Sequence, residues 1–197
     1  MPKSASSLDR REVVARLLAQ RGRLLVVSGL GSPTYDVHAA GDHDGNFYLW
    51  GAMGSAALIG LGLAQAQPDR TVVVITGDGE QLMGLGGLAT IAISHPKNLA
   101  IVVIDNDHFG ETGMQMSHTG HGLDLATVAQ SCGFAEARMV RDMAGVEQVA
   151  RALHLPAAGA RLYAIKVKAE NPPRSLPLRD AVHIKNRFRA HLGLGTI

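Results

Sequence analysis

Cysteine is nearly absent from this sequence of 197 residues, and Cys132 is the only one. A single cysteine cannot form an intrachain disulfide bond. It also cannot hold an iron–sulfur cluster, which takes several thiolate ligands. We therefore expect a reducing, cytoplasmic environment and no electron transfer through a cluster on this chain.

Long apolar runs and an excess of one charge are missing too. The N-terminal segment lacks the apolar core of a signal peptide, and no run is long enough to cross a membrane. The formal net charge is only +2, and the arginines are spread along the chain, so we expect no nucleic-acid partner and no membrane. One basic cluster near the C-terminus is interpreted as a solvated surface helix; it consists of Arg174, Arg179, Lys185, Arg187 and Arg189.

Glycine and apolar residues are plentiful, with 23 glycines and a hydrophobic fraction of 46%. Continuous apolar runs predict buried strands, and periodic segments between them predict helices. The predicted strands are 24–27, 71–76, 100–104 and 161–167. The predicted helices are 8–21, 54–66, 81–94, 124–132 and 145–153, with 34–50 and 105–123 left irregular. This alternation predicts an α/β fold, a three-layer parallel sheet with helices on both faces. We expect a single domain over 1–197, with a short tail from about residue 171.

The segment Gly77-Asp78-Gly79-Glu80 lies at a predicted turn from strand to helix. Glycines there let backbone N–H groups approach a phosphate, and a helix N-terminus favours negative charge. An aspartate in the same turn is a poor neighbour for a phosphate unless a cation lies between them, and Mg²⁺ takes oxygen ligands of this kind. Asn106, one helix and one strand further on, would offer a second oxygen from the next strand end.

Other sites that bind phosphate fit this segment less well. A Rossmann dinucleotide site needs a glycine at the sixth position of its motif, where this chain has Leu82. A P-loop needs Gly-Lys-Ser or Gly-Lys-Thr, which does not occur. For Gly-Asp-Gly alone, a plain turn with Asp78 as the helix cap would be the better interpretation. Asn106 at its position favours the metal and phosphate site.

The pattern Gly77-Asp78-Gly79 followed by Asn106 resembles the cofactor motif of thiamine diphosphate enzymes, although the usual ending is Asn-Asn and this chain has Asp105-Asn106. The resemblance covers residues 28–173. Within the family it is strongest to decarboxylases of sulfopyruvate and phosphonopyruvate, in segments 46–48, 51–54, 60–64, 96–99 and 109–113.

The resemblance implies that thiamine diphosphate and Mg²⁺ bind here. Asp78 and Asn106 would ligate the metal ion through their side chains, and His108 through its backbone carbonyl. Further residues of the expected cofactor site are Gly77, Gly79, Glu80, Gln81 and Thr112, of which Gly79, Glu80 and Gln81 would present backbone amides to the diphosphate.

Two residues of a glycine-rich loop would meet the other end of the cofactor. Met53 matches the bulky apolar side chain that supports the bent cofactor in this family, and Gly51 would accept a hydrogen bond from the aminopyrimidine through its carbonyl. Ordinary core filling is the alternative interpretation of Met53.

The family also needs a glutamate on a separate pyrimidine-binding domain. We expect no room for that domain before Ser28 or after Pro173. Asp36, Asp42 and Asp44 precede Met53 within the same domain and are not plausible substitutes. A separate alpha-type subunit is therefore expected to supply the glutamate, in a hetero-oligomer such as a dimer of heterodimers.

The reaction implied is the decarboxylation of a small 2-oxoacid by a lyase that is active only with its partner. The alternatives are a beta-type subunit of a carboligase or of a 2-oxoacid oxidoreductase, and a non-catalytic cofactor-binding half-domain. His118 and His121 are the candidate catalytic residues of this chain, and together with Thr119 they are candidate contacts for an acidic substrate. Surface histidines of a loop are an equally good interpretation of the pair.

Overall fold

Eight strands form the framework of the chain in a computed structural model that describes residues 8–195. They are β1 (Leu25–Ser28), β2 (Asn46–Tyr48), β3 (Val72–Gly77), β4 (Leu99–Asp105), β5 (His108–Phe109), β6 (Gln115–Met116), β7 (Glu136–Val140) and β8 (Arg161–Lys166). Six of them form one parallel sheet in the order β2-β1-β3-β4-β8-β7, while β5 and β6 pair as a small antiparallel ribbon.

Helices connect the strands of the main sheet. They are α1 (Arg10–Leu18), α2 (Ser32–Ala39), α3 (Ala56–Ala66), α4 (Asp78–Met83), α5 (Gly87–Ser94), α6 (Leu125–Cys132), α7 (Met143–Ala152) and α8 (Ala181–His191). None of the helices within residues 8–195 is long and apolar enough to span a bilayer.

Helices cover both faces of the sheet. Alternate residues of β1 show the division, because Leu25 and Val27 belong to one buried cluster and Val26 to the other. The first cluster includes the buried faces of α3, α5 and α6, and the second includes those of α1, α2 and α7. The predicted three-layer α/β fold is confirmed. Strands β3, β4 and β8 match the predicted apolar runs, since a strand covered on both faces needs an apolar side chain at nearly every position.

The prediction of irregular structure for residues 34–50 is wrong in part. It contains most of α2, which has a proline in its first turn after Gly31, and the edge strand β2. Both elements are short, at eight and three residues, so neither gives a long periodic pattern.

The single helix predicted for 81–94 is two helices. Gly84 separates α4 from α5, and a Cβ atom at this position would lie 2.0 Å from the carbonyl oxygen of Gly54. The chain therefore turns at the point where the backbone of the 51–54 loop touches the end of α4.

Two elements near the C-terminus were not predicted as they occur. Strand β7 lies at the sheet edge and contains Glu136 and Arg138, so it lacks a continuous apolar run. The tail contains α8, which is not simply a solvated helix. Its Phe188 stacks edge to face on Phe47 with ring centroids 5.4 Å apart, and Arg187 pairs with Asp42 at 2.7 Å.

Candidate functional site

The ends of β3 and β4 bring the two predicted side-chain ligands of the metal to one edge of the sheet. Gly77 is in register with Ile104, so Asp78 and the pair Asp105-Asn106 follow immediately beyond the paired residues. Asp78 also begins α4, whose first-turn N–H groups lack partners within the helix. Carboxyl ends of parallel strands are where ligands of such folds bind.

A hydroxyl network surrounds the carboxylate of Asp78. Its Oδ2 accepts hydrogen bonds from Ser117 Oγ at 2.5 Å and from Thr119 Oγ1 at 3.2 Å. Thr119 Oγ1 is also 2.8 Å from Asp105 Oδ1. The side chain of Thr119, a candidate contact for the substrate, is buried and bridges the two carboxylates.

Asp78 has a raised pKa for an aspartate. Burial, and then the negative charge of Asp105, raise its pKa to about 6, against the hydrogen bonds from Ser117 and Thr119. Its side chain is 2% exposed. Asp105 is paired with Lys166 at 2.7 Å, so Asp78 is the buried carboxylate at which the cleft favours a further cation.

The turn after β4 presents oxygen atoms. Asn106 Oδ1 accepts from the backbone N–H of His108 at 3.0 Å, and the ring Nδ1 of His108 lies 2.8 Å from the carbonyl oxygen of Asn106. Asp107 between them has a positive φ of 65°. The imidazole of His108 is thus engaged within the turn, and its backbone carbonyl stays a predicted metal ligand.

A cleft of about 190 Å³ opens over these strand ends. Most of the predicted site residues line it, namely Met53, Gly77, Asp78, Gly79, Glu80, Asn106, His108 and Thr112. The sequence therefore located its floor and much of its wall, and their binding roles remain predictions.

Four predicted site residues do not line this cleft. Gly51 is exposed with open space around it, and Gln81 is buried with no hydrogen-bond partner for its Nε2 within residues 8–195. His118 and His121 are both exposed. The ring of His118 lies edge-on to Phe109, a cleft residue, at 6.4 Å between centroids, so it stands behind the wall of the cleft.

The loop that carries Met53 is held in a strained conformation. Ala52 has a φ of 58° and Gly54 a φ of 91°. The side chain of Met53 is 41% exposed and lines the cleft. Contact between Gly54 and Gly84 fixes the loop against the end of α4.

Glu80 connects the first turn of α4 to the loop after β1. Its Oε2 accepts from Thr76 Oγ1 at 2.8 Å, and a Cβ at residue 29 would lie 1.8 Å from the same oxygen. Burial raises the pKa of the Glu80 carboxyl. Gly29 is therefore needed for this carboxylate to reach its place.

Sequence reasoning missed two buried cations at the site. Arg10 lines the cleft, and Lys166 pairs with Asp105 and Asp107 beside it. No local motif marks either residue, because each lies far along the chain from Asp78 and Asn106. A lysine at the end of an otherwise apolar predicted strand was the one available signal for Lys166.

The oxygen donors of the cleft fit Mg²⁺ and a diphosphate. The set combines a carboxylate, a side-chain amide and a backbone carbonyl, next to the N-terminus of α4. Within the part of the chain that the structure describes, no group of three or more His, Cys, Asp or Glu side chains could hold a metal. A site with one protein carboxylate suits Mg²⁺ that is shared with phosphate oxygens.

Fold and site together define a class: a doubly wound α/β domain whose cleft, at the carboxyl edge of the sheet, presents side-chain and backbone oxygen atoms beside the first turn of a helix. The chain belongs to the thiamine pyrophosphate enzyme family, whose C-terminal TPP-binding domain model matches residues 35–167.

Known proteins support this membership. The chain is 42% identical over 125 residues to sulfopyruvate decarboxylase subunit beta of Methanocaldococcus jannaschii, covering 63% of this chain and 66% of that one. It is 43% identical over 133 residues to phosphonopyruvate decarboxylase of Streptomyces viridochromogenes, covering 67% of this chain and 33% of that enzyme.

A solved structure shows the same fold. The thiamine diphosphate-dependent 4-hydroxybenzoylformate decarboxylase of Rhodococcus jostii matches with a TM-score of 0.71 at 19% identity, over 87% of this chain and 34% of that one. The matched region thus spans about a third of the length of these two decarboxylases.

Proposed function

We propose that this chain is the subunit of a split, thiamine diphosphate- and Mg²⁺-dependent 2-oxoacid decarboxylase that binds the cofactor's diphosphate. The observation that carries the proposal is the convergence of Asp78 and Asn106 on one cleft at the N-terminus of α4. The relatives named above are a decarboxylase subunit and a decarboxylase, and the single cysteine suits a reducing cytoplasmic location.

The residues of the cleft divide the work of binding. Asp78 and Asn106 would hold Mg²⁺ through side-chain oxygens and His108 through its carbonyl, while the amides of the first turn of α4 would face the diphosphate. The cofactor, when bound, supplies the electron sink for loss of the substrate carboxylate. The protein's task is to fix its orientation, with Met53 at the open end of the cleft and the carbonyl of Gly51 near the pyrimidine.

The two glutamates that line the cleft are engaged elsewhere. Glu80 accepts from Thr76, and Glu111 contacts Ser32 at 3.2 Å and Arg174 at 3.3 Å. A glutamate for the pyrimidine end is therefore proposed to come from a separate alpha-type subunit, and the name subunit beta of the relative from M. jannaschii supports that arrangement. A dimer of heterodimers would place two such cofactor sites at subunit interfaces.

The proposed substrate is a small 2-oxoacid with a second acidic group, like sulfopyruvate or phosphonopyruvate, which the names of the relatives support. His118 and His121 are exposed on the loop behind Phe109. They remain candidates to meet the substrate only if the assembled enzyme brings the substrate to that side of the loop.

Cofactor binding tests the proposal most directly. Asp78→Ala should abolish the Mg²⁺-dependent affinity for thiamine diphosphate, measured by calorimetry in the assembled complex. Asp142→Ala is the matched control, since Asp142 caps α7 outside the cleft and its loss costs only about 1 kcal/mol of stability. Unchanged cofactor affinity in Asp78→Ala would refute the metal site.

Activity tests the split site. The chain alone, with excess Mg²⁺ and thiamine diphosphate, should not decarboxylate 2-oxoacids, and the pair co-purified with its alpha-type subunit should. Full turnover by the chain alone would refute the need for a partner.

A further inference from the structure

Arg10 is a buried cation that has no part in the proposed contacts of Asp78, Asn106 and α4 with metal and diphosphate. It is the first residue of α1 and is 5% exposed, yet it lines the cleft together with Asp78 and Asn106. The backbone explains its position: Leu8 O accepts from Lys168 N at 2.9 Å, so the start of α1 is tied to the chain leaving β8. Arg10 thus reaches the same carboxyl edge of the sheet.

The charges around Arg10 do not balance. Its Nε donates to Asp36 Oδ2 at 2.6 Å, and Arg11 Nε lies 3.6 Å from the other oxygen of the same carboxylate. Asp36 is buried, and burial raises its pKa while both guanidinium groups oppose that rise. Two permanent positive charges share one carboxylate, so the cluster carries a net positive charge.

The terminal nitrogens of the Arg10 guanidinium are the atoms that can bind a ligand. Within residues 8–195 its hydrogen bonding is through Nε alone, and its terminal nitrogens donate to none of the described residues. A buried guanidinium is costly unless its donors are satisfied. Its planar fork matches the oxygens of a phosphate, which can accept two parallel hydrogen bonds.

We propose that Arg10 binds the terminal phosphate of the cofactor's diphosphate at the floor of the cleft, an inference that rests on the proposed function. A sulfonate or phosphonate group of the substrate has the same chemistry. The floor favours the cofactor, because Arg10 is almost fully buried whereas the open end of the cleft is beside the exposed Met53. Mg²⁺ held by Asp78 would then neutralise the diphosphate from one side, and the guanidinium of Arg10 would do so from the other.

Binding of a phosphate series by the assembled complex tests this assignment. We expect Arg10→Met to weaken thiamine diphosphate at least about tenfold in excess Mg²⁺, as for loss of a hydrogen bond to a charged group. Thiamine monophosphate, which lacks the terminal phosphate, should lose less than about twofold, since Arg10 would have no partner in it. Arg10→Lys should recover part of the diphosphate affinity because it keeps the charge.

Arg11→Met is the matched control. Arg11 shares Asp36 but does not line the cleft, so an effect of the cluster's positive charge alone predicts weaker cofactor binding in both variants, whereas direct contact with the phosphate predicts weaker binding in Arg10→Met alone. If Arg10→Met does not fold, Arg10→Met combined with Asp36→Asn replaces it, because that variant no longer buries a carboxylate with half its partners.

Three outcomes would overturn the inference. They are equal loss of thiamine diphosphate and thiamine monophosphate in Arg10→Met, wild-type affinity for both, and normal cofactor affinity with a raised KM for an acidic 2-oxoacid but not for pyruvate. The last would assign Arg10 to the substrate. Failure of the wild-type complex itself to bind thiamine diphosphate would instead refute the proposed function, and this inference with it.

Discussion

Lys166 and Asp105 form a buried ion pair between register partners at the ends of two adjacent strands. Lys166 Nζ lies 2.7 Å from Asp105 Oδ2, with the two side chains 3% and 1% exposed. Asp105 also meets Thr119, which reaches Asp78. The ion pair therefore holds Asp105 in place and, through Thr119, helps to position the carboxylate of Asp78.

Substitution of Lys166 should show how much the ion pair contributes to the stability of the chain. Lys166→Met leaves the Asp105 carboxylate buried without its cation and should lower the free energy of unfolding by about 3–5 kcal/mol. Lys166→Met combined with Asp105→Asn should recover part of that loss. Urea unfolding of the metal-free chain measures the cycle, and additive effects of the two substitutions would contradict the coupling.

The raised pKa of Asp78 predicts how stability depends on pH. The carboxyl has a pKa of about 6 in the folded protein against an ordinary value of 3.8, so the folded state binds the proton more tightly. The contribution of Asp78 is therefore fully favourable below about pH 4 and is lost as pH rises through about 6, by an amount on the order of 3 kcal/mol.

Asp78→Asn isolates this contribution. In the metal-free chain, the stability of the variant relative to the native sequence should increase between about pH 4 and about pH 7. Denaturant midpoints across this range measure the difference. Parallel pH profiles for the two proteins would show that Asp78 titrates normally.

The contact between Gly84 and Gly54 predicts a steric effect on the Met53 loop. Gly84→Ala places a methyl group against a backbone oxygen and should cost about 1–3 kcal/mol while displacing the loop. Gly86→Ala is the control, because its methyl group would enter open space at a φ of −61°. Thermal unfolding compares the two, and equal effects would argue against the contact.

Met53 itself should matter for orientation more than for affinity. Met53→Ala is expected to leave the binding constant of thiamine diphosphate within about threefold, while hydrogen–deuterium exchange at the reactive thiazolium carbon slows by about 100-fold, as for roughly 1 Å of misplacement. Calorimetry and NMR of the assembled complex measure the two effects. An unchanged exchange rate would indicate that Met53 serves only in packing.

Docking of α8 predicts unequal costs for two apolar residues of one helix. Phe188 is 5% exposed and Val182 is 61% exposed. Phe188→Ala should therefore destabilise the chain by about 3–5 kcal/mol, and Val182→Ala by less than about 0.5 kcal/mol. Chemical denaturation distinguishes a packed helix from a solvated one, for which both changes would be small.

The sequence by itself determined the centre of the sheet and the corner where Asp78 and Asn106 meet. Strands buried on both faces must be apolar at almost every position, so β3, β4 and β8 were visible as runs. Parallel strands end at a common edge, so polar residues directly after two of them had to lie together.

Only the tertiary structure determined the edge strands of the sheet and the two buried cations at the site. Edge strands have one neighbour and tolerate charge, which is why β2 and β7 gave no apolar run. The break between α4 and α5 depends on a remote backbone atom, the carbonyl oxygen of Gly54. Arg10 and Lys166 reach the site from opposite ends of the chain, and their burial beside Asp36 and Asp105 arises from packing across the sheet edge, which no local spacing encodes.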